Sequence, residues 1–192
     1  GYSLYVRLDD HSGGSLFPAA VVDEQNGNYT ISYTPAHKGD YTVHVNIASG
    51  KLNSGIGLKG EYYNNRWFDG VPVLTRTDPF LYFDWGTQLI TPTAANYVSI
   101  RWSGLIRMPE LDTYTFTLRY DDSVRVYIEQ VLYLDTWENT GSGQQSFTFV
   151  NSYVNMLYNI RIEYRQNTGS ASLELFWSCS SCSIGSSATH VS

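Results

Sequence analysis

Residues 113–128 read Thr-Tyr-Thr-Phe-Thr-Leu-Arg-Tyr-Asp-Asp-Ser-Val-Arg-Val-Tyr-Ile, and their pattern is the clearest indication of the fold. Apolar and polar side chains alternate on both sides of the central pair Asp121 and Asp122, which is the period-2 pattern of a strand with one buried face. We therefore predict strands over residues 114–120 and 124–128, joined by a short acidic connection.

The rest of the chain has the composition of a β protein. Its 192 residues include 16 Tyr and 16 Gly, and aromatic residues make up 15% of them. Tyr and β-branched residues suit the pleated surface of a sheet, and Gly supplies turns. No stretch has apolar residues at helical spacing over several turns. Further strand-like runs cover residues 97–102, 146–150, 157–164 and 171–177. We predict an all-β chain that contains an antiparallel sandwich.

The charge balance argues against a nucleic-acid partner. Twelve basic and 18 acidic residues give a net charge of −6 and a pI near 5.1, so a phosphate backbone would be repelled. No window approaches the roughly 18 consecutive apolar residues of a spanning helix, so we expect no membrane insertion within this segment. The chain opens at Gly1 without Met, and we expect it to be part of a longer protein.

The first part of the chain contains a hairpin signal. Asn26 and Gly27 separate two strand-like runs, and both residue types tolerate the positive φ of a hairpin turn. From Val21 to Val45 the order is Val-Val-Asp-x-x-Asn-Gly-x-Tyr-x-x-x-Tyr-x-Pro-x-x-x-Gly-x-Tyr-x-Val-x-Val. This order resembles a filamin-type immunoglobulin-like repeat. The resemblance implies that residues 1–54 are the C-terminal part of one repeat, completed by sequence before Gly1 or by another copy.

The part after a small, polar linker at residues 48–57 contains seven blocks in a fixed order. The blocks lie at 57–65, 73–79, 83–86, 100–104, 114–118, 121–128 and 173–177. Their succession resembles a PA14 domain and covers nearly all of residues 57–178. The resemblance implies a PA14 β-sandwich over residues 55–178, followed by a Ser-rich linker at 179–192. PA14 domains occur in adhesins, in toxins and within glycosidases, so the fold does not determine one activity.

The resemblance also implies a metal and ligand site. In glycan-binding PA14 domains two neighbouring aspartates hold a calcium ion and the hydroxyls of the sugar complete its shell; Asp121 and Asp122 occupy that position here. Calcium takes about six to eight oxygen ligands, and we expect Asn167, in the second loop, to donate a side-chain oxygen. We expect Trp137 to offer an aromatic face to the sugar. Ser123 stands where most members carry Gly.

Each of these residues also has an ordinary structural interpretation. Adjacent aspartates at the end of a strand are commonly solvated turn residues, since Asp readily accepts hydrogen bonds from its own backbone. Trp137, Tyr133 and Tyr120 are equally typical of core or sheet-surface aromatics.

Two further modifications are predicted. Cys179 and Cys182 form a Cys-Ser-Ser-Cys pattern, for which we expect a local disulfide and an oxidising compartment. Two unpaired thiols are the alternative, whereas zinc needs about four ligands and only His190 lies near. Asn28 opens the one N-glycosylation acceptor pattern, Asn-Tyr-Thr, and we expect it to carry a glycan.

The sequence predicts a protein that is not an enzyme. Its four histidines are scattered, it has no Gly-x-Ser-x-Gly elbow, and adjacent aspartates do not make the two-carboxylate cleft of a glycosidase. We expect a structural segment of an extracellular or cell-surface filament, stalk or adhesin whose partners are neighbouring copies or domains of the same protein. The alternative is a lectin-like adhesin, that is, a calcium-dependent glycan-binding module that acts through the PA14 loops.

Overall fold

The computed structural model describes residues 2–10, 16–35, 38–49, 57–138, 140–154 and 156–182, and within these ranges it contains strands and loops but no helix. The all-β prediction is therefore confirmed. The chain divides into two compact units, Gly1–Ser54 and Gly55–Ser192. In the described part of the chain no helix is long and apolar enough to cross a membrane.

The first unit contains a three-stranded antiparallel sheet and a separate hairpin. The sheet has the order β2-β1-β5, and β3 pairs with β4 in the hairpin. The side chains of Val6 and Leu8 on β1 are buried. Val43 and Val45, which lie opposite them on β5, are about half exposed. The strands are β1 (Tyr2–Asp10), β2 (Leu16–Pro18), β3 (Ala20–Asp23), β4 (Tyr29–Ser32) and β5 (Tyr41–Ser49).

The second unit consists of two antiparallel sheets. The four-stranded sheet has the order β13-β10-β15-β8, and the six-stranded sheet has the order β12-β11-β14-β9-β6-β7. The strands are β6 (Leu58–Tyr63), β7 (Leu74–Asp78), β8 (Tyr82–Gly86), β9 (Val98–Met108), β10 (Thr113–Asp121), β11 (Ser123–Ile128), β12 (Val131–Asp135), β13 (Gly143–Val150), β14 (Met156–Gln166) and β15 (Ala171–Ser178).

The core of the second unit is formed by alternate residues of its strands. On β10 the side chains of Tyr114, Phe116, Leu118 and Tyr120 are buried, while Arg119 is exposed. Successive side chains of a strand point to opposite faces, so this alternation directs one face of β10 into the core. The period-2 pattern of residues 113–128 therefore predicts the buried face correctly.

A buried carboxylate lies within this core. Asp78 Oδ2 accepts hydrogen bonds from Tyr62 Oη at 2.5 Å and from Trp102 Nε1 at 2.7 Å. Its Oδ1 accepts from Arg76 Nε at 2.7 Å, so one carboxylate joins β6, β7 and β9. Burial and the contact with Asp78 raise the pKa of Tyr62 well above its ordinary value, so the phenol remains a hydrogen-bond donor.

Candidate functional site

The aspartate pair lies where the chain passes from one sheet to the other. Strand β10 of the four-stranded sheet ends at Asp121, and β11 of the six-stranded sheet begins at Ser123. Asp122 is therefore the single residue between the two strands, and the Asp121–Asp122 peptide bond is cis. Both side chains are thus fixed at the same end of the sandwich.

Asp122 holds two loops to this connection. Its side chain is only 5% exposed. Its Oδ1 accepts a hydrogen bond from the backbone N of Gly141 at 3.0 Å, and its Oδ2 accepts one from the backbone N of Asn167 at 2.6 Å. The loop before β13 and the loop before β15 are therefore tied to one carboxylate. An N–H donor occupies only part of the accepting capacity of each carboxylate oxygen.

The Asp121 carboxylate lies in the field of its neighbour. Burial and the negative charge of Asp122 together raise the pKa of Asp121 above its ordinary value. Tyr164 Oη donates a hydrogen bond to the backbone O of Asp121, which fixes the backbone there. Two neighbouring carboxylates that repel each other are stabilised by a cation between them, and carboxylate oxygens are ligands that calcium prefers.

The Asn167 side chain faces a different partner. Its Oδ1 accepts a hydrogen bond from Arg66 Nη1 at 2.9 Å, and its buried Nδ2 has no hydrogen-bond partner in the structure. Asn167 therefore presents its backbone N–H to Asp122, while its side-chain oxygen is engaged by a guanidinium. No group of three or more His, Cys, Asp or Glu side chains able to hold a metal occurs among the described residues. A calcium ion held by the aspartate pair would need the rest of its shell from backbone oxygens, water or a bound ligand.

Trp137 does not offer a free aromatic face. It is 4% exposed, and its ring stacks on Phe68 with the centroids 5.7 Å apart. The guanidinium carbons of Arg125 and Arg165 each lie 4.5 Å from its centroid. The ring expected to meet a sugar is instead part of the packed layer beneath the loops. The same structural interpretation holds for Tyr120, which is buried in the core.

Two exposed aromatic residues near the aspartate pair are not predicted from the sequence. Trp67 is 61% exposed and Tyr97 is 55% exposed. The Arg66 guanidinium carbon lies 5.6 Å from the Trp67 ring centroid and 5.4 Å from that of Tyr97. The backbone N of Tyr97 donates to the backbone O of Asn167 at 2.9 Å, which connects this group to the second loop. We call the whole set the loop surface; it comprises Arg66, Trp67, Tyr97, Asp121, Asp122 and Asn167.

The positively charged side chain of Arg165 lies beneath the loop surface. The side chain of Arg165 is buried and lies over Trp67, and its Nη2 donates to the backbone O of Trp137. Burial and the neighbouring charge of Arg66 lower the pKa of Arg165, although the group stays a cation at neutral pH. Arg165 also interacts electrostatically with Asp122, so a buried cation lies near the aspartate pair.

A family model for the PA14 domain matches residues 54–186, and one for the Filamin/ABP280 repeat matches residues 2–54. This chain belongs to the PA14 domain family. Its PA14 domain is preceded by a filamin repeat, as the two resemblances predict. Together with the two antiparallel sheets, this confirms the predicted fold class.

The PA14 domain has relatives of substantial identity. The anti-sigma-I factor RsgI3 of Acetivibrio thermocellus is 36% identical over 131 residues, which are 67% of this chain and 20% of RsgI3. The solved structure of an anti-sigma factor domain-containing protein is 35% identical with a TM-score of 0.60, over 66% of this chain and 44% of that one. A second anti-sigma factor domain-containing protein, from Clostridium clariflavum, is 32% identical with a TM-score of 0.61, over 66% of this chain and 43% of that one. This chain thus spans about a fifth of RsgI3 and less than half of either solved chain.

These relatives correct the predicted function. The prediction of a structural segment of a filament, stalk or adhesin is wrong, and so is the alternative of a lectin-like adhesin, because the relatives are anti-sigma factors. The prediction of an extracellular or cell-surface location is contradicted by the same relatives. The prediction that this segment is not an enzyme agrees with its PA14 domain and with its anti-sigma factor relatives.

The two predicted modification sites lie outside the loop surface. Cys179 and Cys182 are joined in a disulfide immediately after β15. Residues 179–182 of the predicted linker therefore form an ordered loop, and residues 183–192 lie outside the described residues. Asn28 is exposed at the turn between β3 and β4, and its glycosylation stays a prediction.

Proposed function

We propose that this chain is the ligand-recognition segment of a regulatory protein of the anti-sigma factor type. The 131 residues that are 36% identical to RsgI3 make up 67% of this chain, and identity at that level supports a shared use as well as a shared fold. In the full-length protein, a sigma factor would be bound by another part of the chain. The segment described by the structure would detect the signal.

The observation that carries this proposal is the loop surface. Two carboxylates lie side by side at one end of the sandwich, and exposed Trp67 and Tyr97 lie next to the loop that Asp122 holds. We propose that Asp121 and Asp122 bind Ca²⁺ and that a hydroxyl-rich ligand such as a glycan completes its shell. Aromatic faces pack well against the apolar face of a sugar ring, so Trp67 and Tyr97 would contact the remainder of the ligand.

Calcium binding is tested by thermal unfolding with calcium and with excess chelator. An ion present at about a hundred times its dissociation constant should stabilise the fold by about 2.7 kcal/mol, a rise in Tm of roughly 5–10 °C. Asp121→Asn should abolish this rise while leaving the loop contacts of Asp122 in place. Glu174→Gln is the matched control, because it removes one negative charge from an exposed ion pair on β15 and should retain the rise. A rise that persists in Asp121→Asn would place the ion elsewhere.

Ligand recognition is tested on a glycan array with calcium present. Trp67→Ala should weaken binding without changing the calcium-dependent Tm, whereas Tyr82→Ala, which removes an exposed aromatic on β8, should change neither. In the full-length protein, a glycan found in this way should alter sigma-factor binding, and Trp67→Ala should remove that response but not sigma-factor binding itself. Glycan binding without any effect on sigma-factor binding would refute the regulatory role.

A further inference from the structure

A second polar cluster lies at the opposite end of β10 from the aspartate pair. Asp112, just before β10, accepts three hydrogen bonds on Oδ2, from Ser180 Oγ, Ser181 Oγ and Ser181 N, each at 2.7 Å. Both serines lie between Cys179 and Cys182, inside the disulfide-closed loop. A single carboxylate oxygen therefore holds the loop that follows β15 against the start of β10.

Asp112 is itself held firmly. Its Oδ1 accepts a hydrogen bond from the backbone N of Thr113 at 2.7 Å, and its backbone O accepts one from the backbone N of Asn151 at 2.9 Å. The hydrogen bonds from Ser181 and Ser180 lower the pKa of Asp112 well below its usual range, so the carboxylate is ionised at neutral pH. Because the accepting carboxylate of Asp112 is fixed and charged, the geometry of the cluster depends on the positions of the Ser180 and Ser181 donors.

The disulfide explains why the donors converge. Three donors from two adjacent residues can reach one oxygen only if the chain turns tightly, and the bond between Cys179 and Cys182 closes a ring around those two residues. A ring this short removes little chain entropy from the unfolded state compared with a bridge across a long loop. Its main effect is therefore local: it shapes the Ser180 and Ser181 donors.

We propose that Cys179 and Cys182 form a reversible thiol–disulfide site whose oxidised state latches the segment after β15 onto Asp112. Both cysteines are partly exposed, so a thiol can reach them. A dithiol reductant would attack one sulfur as its thiolate, break the S–S bond and form a mixed disulfide. Its second thiol would then release the protein. The protein gains two electrons and two protons as two thiols, and the dithiol becomes a cyclic disulfide.

The latch is tested by amide hydrogen exchange at Ser181, measured by NMR on the whole chain. In the oxidised protein this amide should be protected. Excess dithiothreitol should speed its exchange by about tenfold or more, while amides of β14 remain unchanged. Removal of the reductant and reoxidation should restore protection. Asp112→Ala should also abolish protection with the disulfide intact, whereas Asp84→Ala, at an exposed acid on β8, should not.

The control variants distinguish a local, reversible contact with Asp112 from a disulfide that supports the whole sandwich. In the variant with both Cys179→Ser and Cys182→Ser, the Ser181 amide should exchange fast and dithiothreitol should have no effect. If Asp112→Ala does not fold, Ser180→Ala provides the test, with partial loss of protection expected. Unchanged Ser181 exchange after reduction would overturn the proposal. So would loss of protection throughout β14 on reduction, since the disulfide would then support the whole sandwich.

Discussion

At the scale of single residues, the buried carboxylate of Asp78 makes the sharpest test of what stabilises the sandwich. Its two oxygens accept from Tyr62, Trp102 and Arg76. Asp78→Asn keeps the shape, but it replaces one accepting oxygen by an NH₂ group that faces a donor and leaves Arg76 without its counter-charge. Each buried donor or acceptor left unsatisfied costs about 1–3 kcal/mol, so a total loss of about 3 kcal/mol is expected and Tm should fall by roughly 10 °C.

The matched control is Glu174→Gln, which breaks the more exposed pair with Arg119. Exposed ion pairs contribute about 0–1 kcal/mol, so its Tm should fall by no more than about 3 °C. Differential scanning calorimetry of both variants measures the contrast. Equal effects in the two variants would show that Asp78 acts only as a surface charge.

Single residues also show how far a sequence can predict a site. The adjacency of Asp121 and Asp122 is a property of the chain itself, so their proximity is predictable without a structure. The partner of the Asn167 side chain is Arg66, 101 positions away, and no local pattern indicates that contact. Trp137 and Trp67 are both tryptophans in polar loops, and only tertiary packing covers one and exposes the other.

At the scale of elements, the pairing of β9 with β14 should be the most resistant part of the sandwich. The two strands pair along their full length, from Met156 opposite Met108 to Gln166 opposite Val98, and both are interior strands of their sheet. Interior strands bury both edges, and their amides open only in the largest unfolding events. We therefore expect the amides of β9 and β14 to exchange most slowly and those of the edge strands β12 and β7 much faster, as measured by hydrogen exchange and mass spectrometry. Equal rates in edge and interior strands would refute this order.

The same elements show why some strands are easier to predict than others. Strands β10 and β14 carry strong alternation or long apolar runs and appear where the sequence predicts them. Strand β12 has the burial pattern of an edge, with Val131 and Leu132 exposed and a register irregularity against β11, so it gives no clear period. In the β3–β4 turn, positive φ falls on Gln25 and Gly27 rather than on the Asn26–Gly27 pair. The Asn26 side chain accepts a hydrogen bond from the backbone N of Asn28.

At the scale of the whole molecule, the fold and the function differ in how far the sequence determines them. Seven short sequence blocks are enough to predict the PA14 domain, because each block determines part of a shared core. The proposed regulatory role depends on a longer protein, since this chain spans a fifth of RsgI3. A sandwich of the same fold serves several functions, so the fold alone gave the wrong function.

The charge of the molecule bears on how such a regulator would act. The net charge is −6, and carboxylates neutralise many of the basic side chains. The arginines that lie within salt-bridge distance of a carboxylate are Arg76, Arg101, Arg119, Arg125 and Arg161. A DNA-binding surface needs basic side chains that are free to displace counterions from the phosphates, whereas these five arginines are paired with carboxylates of the protein itself.

We therefore expect no shift of duplex DNA in a gel at low salt, at protein concentrations where a basic control protein shifts it fully. A shift that weakens steeply with added salt would refute this expectation.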